Sequence, residues 1–150
     1  FTYLPALNIL IMDTFTQQEL SLSTCLRIFD QAKIKAEEIG FNIALTIVDT
    51  GGNTKLFARM DGAPLMASDI SRKKAVTAIG FGMPTGEPWN NFIKDDPILN
   101  NGVSGIKDFM LLGGGKPLMV NNEIVGAIGV SGGHYSQDEA CCDAGMTVLS

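Results

Sequence analysis

The chain has 150 residues and a formal net charge of -5, with 45% apolar and 18% charged side chains. That is the size and balance of one globular domain with its own hydrophobic core, not of a disordered chain. The acidic balance excludes a general nucleic-acid binder, which needs clustered Lys and Arg. The three cysteines, Cys25, Cys141 and Cys142, form neither a CxxC pair nor an even disulfide set. They read as buried or half-buried free thiols of a reducing cytosol, so the expected location is cytoplasmic. No apolar run reaches the roughly 18 residues that span a bilayer, and no signal-peptide pattern is present.

In chain order, Phe1 to Met12 is apolar, and residues 1–15 are expected to form an N-terminal arm packed on the domain or on a neighbouring subunit. The domain proper is expected over 16–150. Thr16-Gln-Gln-Glu19 has the spacing of a capping box. Behind it Leu22, Leu26, Phe29, Ala32, Ala36 and Ile39 recur at steps of three and four. This predicts a helix over 17–39, stopped by Gly40.

Residues 41–49 are β-branched and apolar and predict a central strand. Thr50-Gly51-Gly52-Asn53 predicts a turn, and 54–60 a returning strand. A second helix is expected over 66–80 with Ile70, Ala75, Ala78 and Ile79 inward. Within it Arg72-Lys73-Lys74 reads as a solvated face. Residues 84–108 are polar and proline-broken, with helical turns expected near 88–93 and 96–101. So long a connection is usually an ordered functional or interface loop. Strands are expected at 116–120 and 124–130 around Asn121-Asn122-Glu123. Gly126 and Gly129 inside the second of these strands signal close approach of another backbone or side chain. Ser136-Gln-Asp-Glu139 has capping-box spacing and opens a C-terminal helix carrying Ala140, Ala144 and Val148. Two hairpins plus helices give an α+β domain with a mostly antiparallel sheet.

Few constellations could carry chemistry. His134 is the single histidine, which excludes multi-His zinc sites. It stands in a glycine-rich loop, as either a haem-iron ligand or a solvated or capping side chain. No metal site is expected beyond that haem-iron role. Gly113-Gly114-Gly115 before Lys116 has the look of an anion cradle, yet GxxxxGK[ST] is absent, and a hairpin entry explains it as well. Arg59, Asp61, Asp69 and Arg72 flank one turn. They could bind a carboxylated ligand or simply pair with each other. Ser131, His134 and Asp138 share one loop without a GxSxG elbow, so no hydrolase is indicated.

The segments IVDTGGNTKLFARMDGA (47–63), SDISRKKAVTAIGF (68–81), GGGKPLMVNNEIVGAIGVSGG (113–133) and QDEACCDAG (137–145) together resemble the GlcG/HbpS family. This family also supplies the C-terminal domain of PduO-type proteins. The chain is similar to its small stand-alone members from diol and glycerol dehydratase gene clusters. The resemblance implies a profilin-like sandwich with an antiparallel five-stranded sheet, and homo-oligomers from dimer to octamer. It implies haem as a cofactor and no agreed catalytic activity. The expected function is therefore a small-ligand-binding, haem or tetrapyrrole-binding accessory protein of a metabolic operon. Two alternatives stand beside it. One is an enzyme on a small carboxylate or aldehyde, anchored by Arg59 and Arg72 with Asp61 or Asp69 as base. The other is an assembly factor for a larger cobalamin-dependent enzyme. The ligand-binding candidates are Arg59, Asp61, Asp69, Arg72, Gly113, Gly114, Gly115, Ser131 and His134.

Overall fold

The backbone alternation of the central strand organises the molecule. In a computed structural model, which describes residues 13–149, β1 (Ala44–Val48) is buried at every position. Side chains alternate faces along a strand. Ile47 and Leu45 thus point to one layer, and Val48 and Thr46 to the other. The sheet runs antiparallel throughout, in the order β2-β1-β4-β3, with β2 (Thr54–Arg59), β3 (Gly115–Val120) and β4 (Glu123–Ser131). Among the described residues it has four strands, where the resemblance implied five. Residues 84–112, between the two hairpins, coil into helical turns and loop instead of adding a strand. The expected N-terminal arm falls largely on residues 1–12, which lie outside the described residues.

One face of the sheet carries α1 (Leu22–Ile39) and α5 (Tyr135–Met146). Cys25, Ile28, Ala32 and Ala36 of α1 close on Leu45, Ile47, Ile128 and Val130 and on Cys141 and Cys142 of α5. Each fully buried Ile or Leu here contributes about 1.5–3 kcal/mol. The helix face is rotated from the expected one. Leu22 and Leu26 remain 50% and 47% exposed, while Cys25 is fully buried. A free cysteine packs as a small hydrophobe, and counting it shifts the stripe to 25, 28, 32 and 36.

The start of α1 is also later than expected. Ser21 is the N-cap, its Oγ accepting from Thr24 N at 3.2 Å. Such a cap contributes about 1 kcal/mol. Glu19 does not close a box with Thr16. Its carboxylate reaches across to the β1–β2 turn, accepting from Thr50 N at 3.0 Å and from the Thr50 hydroxyl. Leu20 N donates to Val125 O at 3.3 Å. Residues 17–20 are thus tied to two hairpins and cannot coil.

The other face carries α2 (Ala67–Phe81). Ala75 and Ala78 pack on Val48 and Ala127, and Thr46 and Ser71 share a hydroxyl hydrogen bond of 2.8 Å. The helix backbone lies directly on β4. A Cβ placed on Gly129 would stand 2.0 Å from Ser71 O and 2.6 Å from Ala75 N. The expected close backbone approach in this strand is therefore made by α2.

α3 (Glu87–Ile93) and α4 (Pro97–Val103) match the two helical turns expected in the irregular segment. They build a small core of Trp89, Ile93 and Val103 with Leu99, Phe109 and Leu111 around it. Trp89 meets Phe81 and Phe109 edge-on, at centroid distances of 4.9 and 5.0 Å. The segment is anchored on the glycine loop. Thr85 N donates to Gly115 O and Gly115 N to Thr85 Oγ1, both at 2.9 Å, and Gly86 N donates to Leu111 O at 2.7 Å.

Candidate functional site

The segment-to-loop anchoring creates a cleft where α3, residues 111–113 and the first turns of α5 meet. It has a volume of about 400 Å³ and is lined by Gly86, Glu87, Asn90, Asn91, Leu111, Leu112, Gly113, Tyr135 and Glu139. Its floor depends on two missing side chains. A Cβ on Gly86 would lie 2.8 Å from Gly113 Cα, and one on Gly113 would lie 2.5 Å from Glu139 Oε2. The two loops cross in contact, and the Glu139 carboxylate rests on the crossing.

The N-terminus of α5 sets the cleft's far wall. The helix opens two residues before the expected capping box, at His134. The His134 ring Nδ1 accepts from Ser136 N at 3.2 Å, and His134 N donates to Gln137 Oε1 at 2.9 Å. Imidazole here does the work of an Asn or Asp cap. An Nδ1 that accepts a backbone N–H leaves the ring proton of the neutral form on Nε2. The ring lies over Tyr135 with centroids 4.1 Å apart. Tyr135 itself is 46% exposed and lines the cleft. Its hydroxyl has no hydrogen-bond partner among the described residues.

Directly behind the glycine loop lies a buried ion pair. Lys74 Nζ donates to Asp138 Oδ2 and to Val130 O, both at 2.8 Å. The two side chains are only 1% and 2% exposed. Lys74 is thus not part of a solvated face, as the basic run suggested. It reaches from α2, past the Val130 carbonyl of β4, to hold α5. Asp138 Oδ1 also accepts from Gly133 N at 3.0 Å, fixing the loop before His134. Burial pushes the Asp138 carboxyl up and the Lys74 ammonium down, and each partner's charge works against that shift.

The sequence-derived candidates divide among these places. Gly113 lines the cleft, while Gly114 and Gly115 pack on Lys74. The Gly115 amide is spent on Thr85, and the Lys116 ammonium pairs with Asp143. Ser131 ends β4, nearly buried and paired with Ala44 in the sheet register. His134 bonds Ser136 and Asp138 bonds Lys74, so no triad forms. Asp69 and Arg72 pair at 3.1 Å, and Arg72 reaches Asp108 at 3.1 Å. Arg59 and Asp61 are exposed and join no ion pair among the described residues. Lys73 and Arg72 hold the Asp69 carboxyl below the usual carboxylate range, which is the opposite of what a general base needs.

Sequence reading did not single out Glu87, Asn90, Asn91, Tyr135 or Glu139 as site residues. Its one pointer to them was the length of the irregular segment. Among the described residues no cluster of His, Cys, Asp and Glu could hold a metal ion. No described helix is long and apolar enough to cross a membrane.

Comparison with known proteins follows the same fold. An uncharacterised 15.0 kDa protein from the dhaT-dhaS intergenic region of Citrobacter freundii is 30% identical over 131 residues, which are 87% of this chain and 92% of that one. The crystal structure of the Klebsiella pneumoniae protein ORFY superposes with a TM-score of 0.84 at 28% identity, covering 92% of this chain and 95% of that one. A double mutant of HbpS from Streptomyces reticuli superposes with a TM-score of 0.80 at 29% identity, covering 93% and 92%. The family described as "Haem degrading protein HbpS-like" matches residues 20–147. With the match running from the segment before α1 to the end of α5, the chain belongs to the HbpS-like family.

Proposed function

We propose that this chain is a haem-binding accessory protein that works as a homo-oligomer. The observation that carries the reading is Tyr135, an exposed phenol with no hydrogen-bond partner among the described residues, at the wall of a concave cleft. Family membership supplies the ligand class. The residues fit the group in two respects. Tyrosine is an established axial donor to haem iron, and Leu111, Leu112 and the Tyr135 ring offer apolar surface to a flat macrocycle. A cleft of this volume lies within the range of small-molecule sites. When bound, haem would supply an iron centre for redox or small-ligand chemistry, and Tyr135 is the residue that would hold it.

Tyr135 is a better donor than His134. Iron-bound histidine usually gives its second N–H away, which leaves the ligating nitrogen its lone pair. In His134 the capping role reverses this, with Nδ1 as acceptor and the proton on Nε2. The role assigned to His134 is to stack on Tyr135 and hold its place at the helix start. Hemin titration checks this by absorbance. The parent chain and His134→Ala are expected to shift the Soret band, and Tyr135→Phe to lose the charge-transfer features of a phenolate-bound ferric haem. No Soret change in the parent chain removes the haem reading. A change abolished by His134→Ala and kept by Tyr135→Phe assigns the iron to the histidine instead.

A further inference from the structure

The charges around the cleft do not cancel. Glu87 and Glu139 both line it, and neither carboxylate has an ion-pair partner among the described residues. Two ammonium groups that feel the charge of Glu139 are already committed. Lys74 is held by Asp138 and Lys116 by Asp143, so each of those pairs is neutral as a unit. The surplus is two negative charges on the walls of a cleft that otherwise presents amides, a phenol and leucines. Glu139 cannot turn away easily, because its carboxylate rests on the Gly86–Gly113 crossing at the cleft floor.

We infer that Glu139, together with Glu87 on the same cleft, is a charge filter: the cleft accepts the uncharged face of a planar ligand and turns its carboxylate edge outward. This rests on the haem reading and deepens it, because a haem carries two propionates. Like charges in a partly closed site repel more strongly than in bulk water. Selectivity of this kind comes from the arrangement that a ligand is denied as much as from the one it is granted. Glu139 is thus a specificity-determining residue that fixes which edge of the ligand enters.

Two probes separate charge from shape: hemin, and hemin dimethyl ester, in which the propionates are uncharged. Both are titrated in one detergent buffer into the parent chain, Glu139→Gln and Glu87→Gln. Glutamine keeps the size of the side chain and removes its charge. Removing one repelling charge is expected to tighten hemin by about tenfold at low salt in Glu139→Gln. Glu87→Gln moves it the same way, and the diester is unchanged in both. The gain shrinks as salt rises, since screening replaces what the mutation removed. If both porphyrins change alike, or hemin binds more weakly to the glutamine variants, the filter is wrong while the haem reading stands. If neither porphyrin binds the parent chain, both readings fall together.

Discussion

Gly129→Ala should lower the unfolding free energy by about 3 kcal/mol or more, at the upper end of overpacking costs. The new methyl would sit 2.0 Å from the Ser71 carbonyl oxygen and 2.6 Å from Ala75 N. Both are backbone atoms of α2, so no side chain can rotate aside. Relief requires α2 to lift from β4. Lifting it stretches the Thr46–Ser71 hydrogen bond and the reach of Lys74 to Asp138. The fitting comparison is Gly80→Ala in the same helix. Gly80 is exposed, and a Cβ there would meet nothing within 4 Å. That substitution should stabilise the chain by about 0.5–1 kcal/mol, the helix-propensity difference between the two residues. Urea unfolding followed by circular dichroism measures both. The midpoints are expected to move in opposite directions, and a common direction would contradict the described contact of helix and strand.

Lys74→Met is expected to cost about 3–5 kcal/mol, because it leaves the Asp138 carboxylate buried with no counter-charge. The double variant Lys74→Met/Asp138→Leu should recover much of this loss, since replacing a whole buried pair by apolar side chains is often neutral. The pH dependence has a definite sign. Burial raises the Asp138 carboxyl above its unfolded value, and the Lys74 charge opposes that rise. Without Lys74 the carboxyl rises further. A group whose folded pKa is the higher one binds its proton more readily when folded. The deficit of the single variant is therefore largest above the raised pKa, and it shrinks as pH falls through that value toward the ordinary carboxylate range. Denaturation at a series of pH values checks this. A deficit that grows on acidification, or a double variant as unstable as the single one, would contradict the pair as described.

The elements governed by local chemistry were legible in the residues. The Thr50–Asn53 turn folds as read, with Asp49 Oδ1 accepting from Gly51 N and Asn53 N at 2.9 Å. The two short helices inside 84–108 appear beside their prolines, with Asp96 capping the second. What escaped was decided by distant partners. Glu19 matched a local capping pattern, yet Thr50 competes for its carboxylate, and nothing in the spacing of residues 16–19 announces that. The basic run at 72–74 looked uniform, yet Asp138, sixty-four positions away, draws Lys74 inside. The C-terminal helix is capped by His134, the capping alternative its loop position offered, two residues before the Ser136 box. Most of the cleft's lining was hidden because it, too, is assembled by distant partners. Gly86, Gly113 and Glu139 define its floor from three separate stretches, and only the close crossing of two loops brings them together.

Cys25, Cys141 and Cys142 all lie in the core that α1 and α5 close against the sheet. Burial raises the Cys141 thiol to about 11 and pushes Cys142 higher still. Thiolates are the reactive form, so three sulfurs are held in their inert form while the layers stay closed. The fold therefore carries its own chemical clock. The rate at which an alkylating reagent consumes these thiols reports how often the helix layer of α1 and α5 opens from the core, in a chain whose described residues place no cysteine anywhere else.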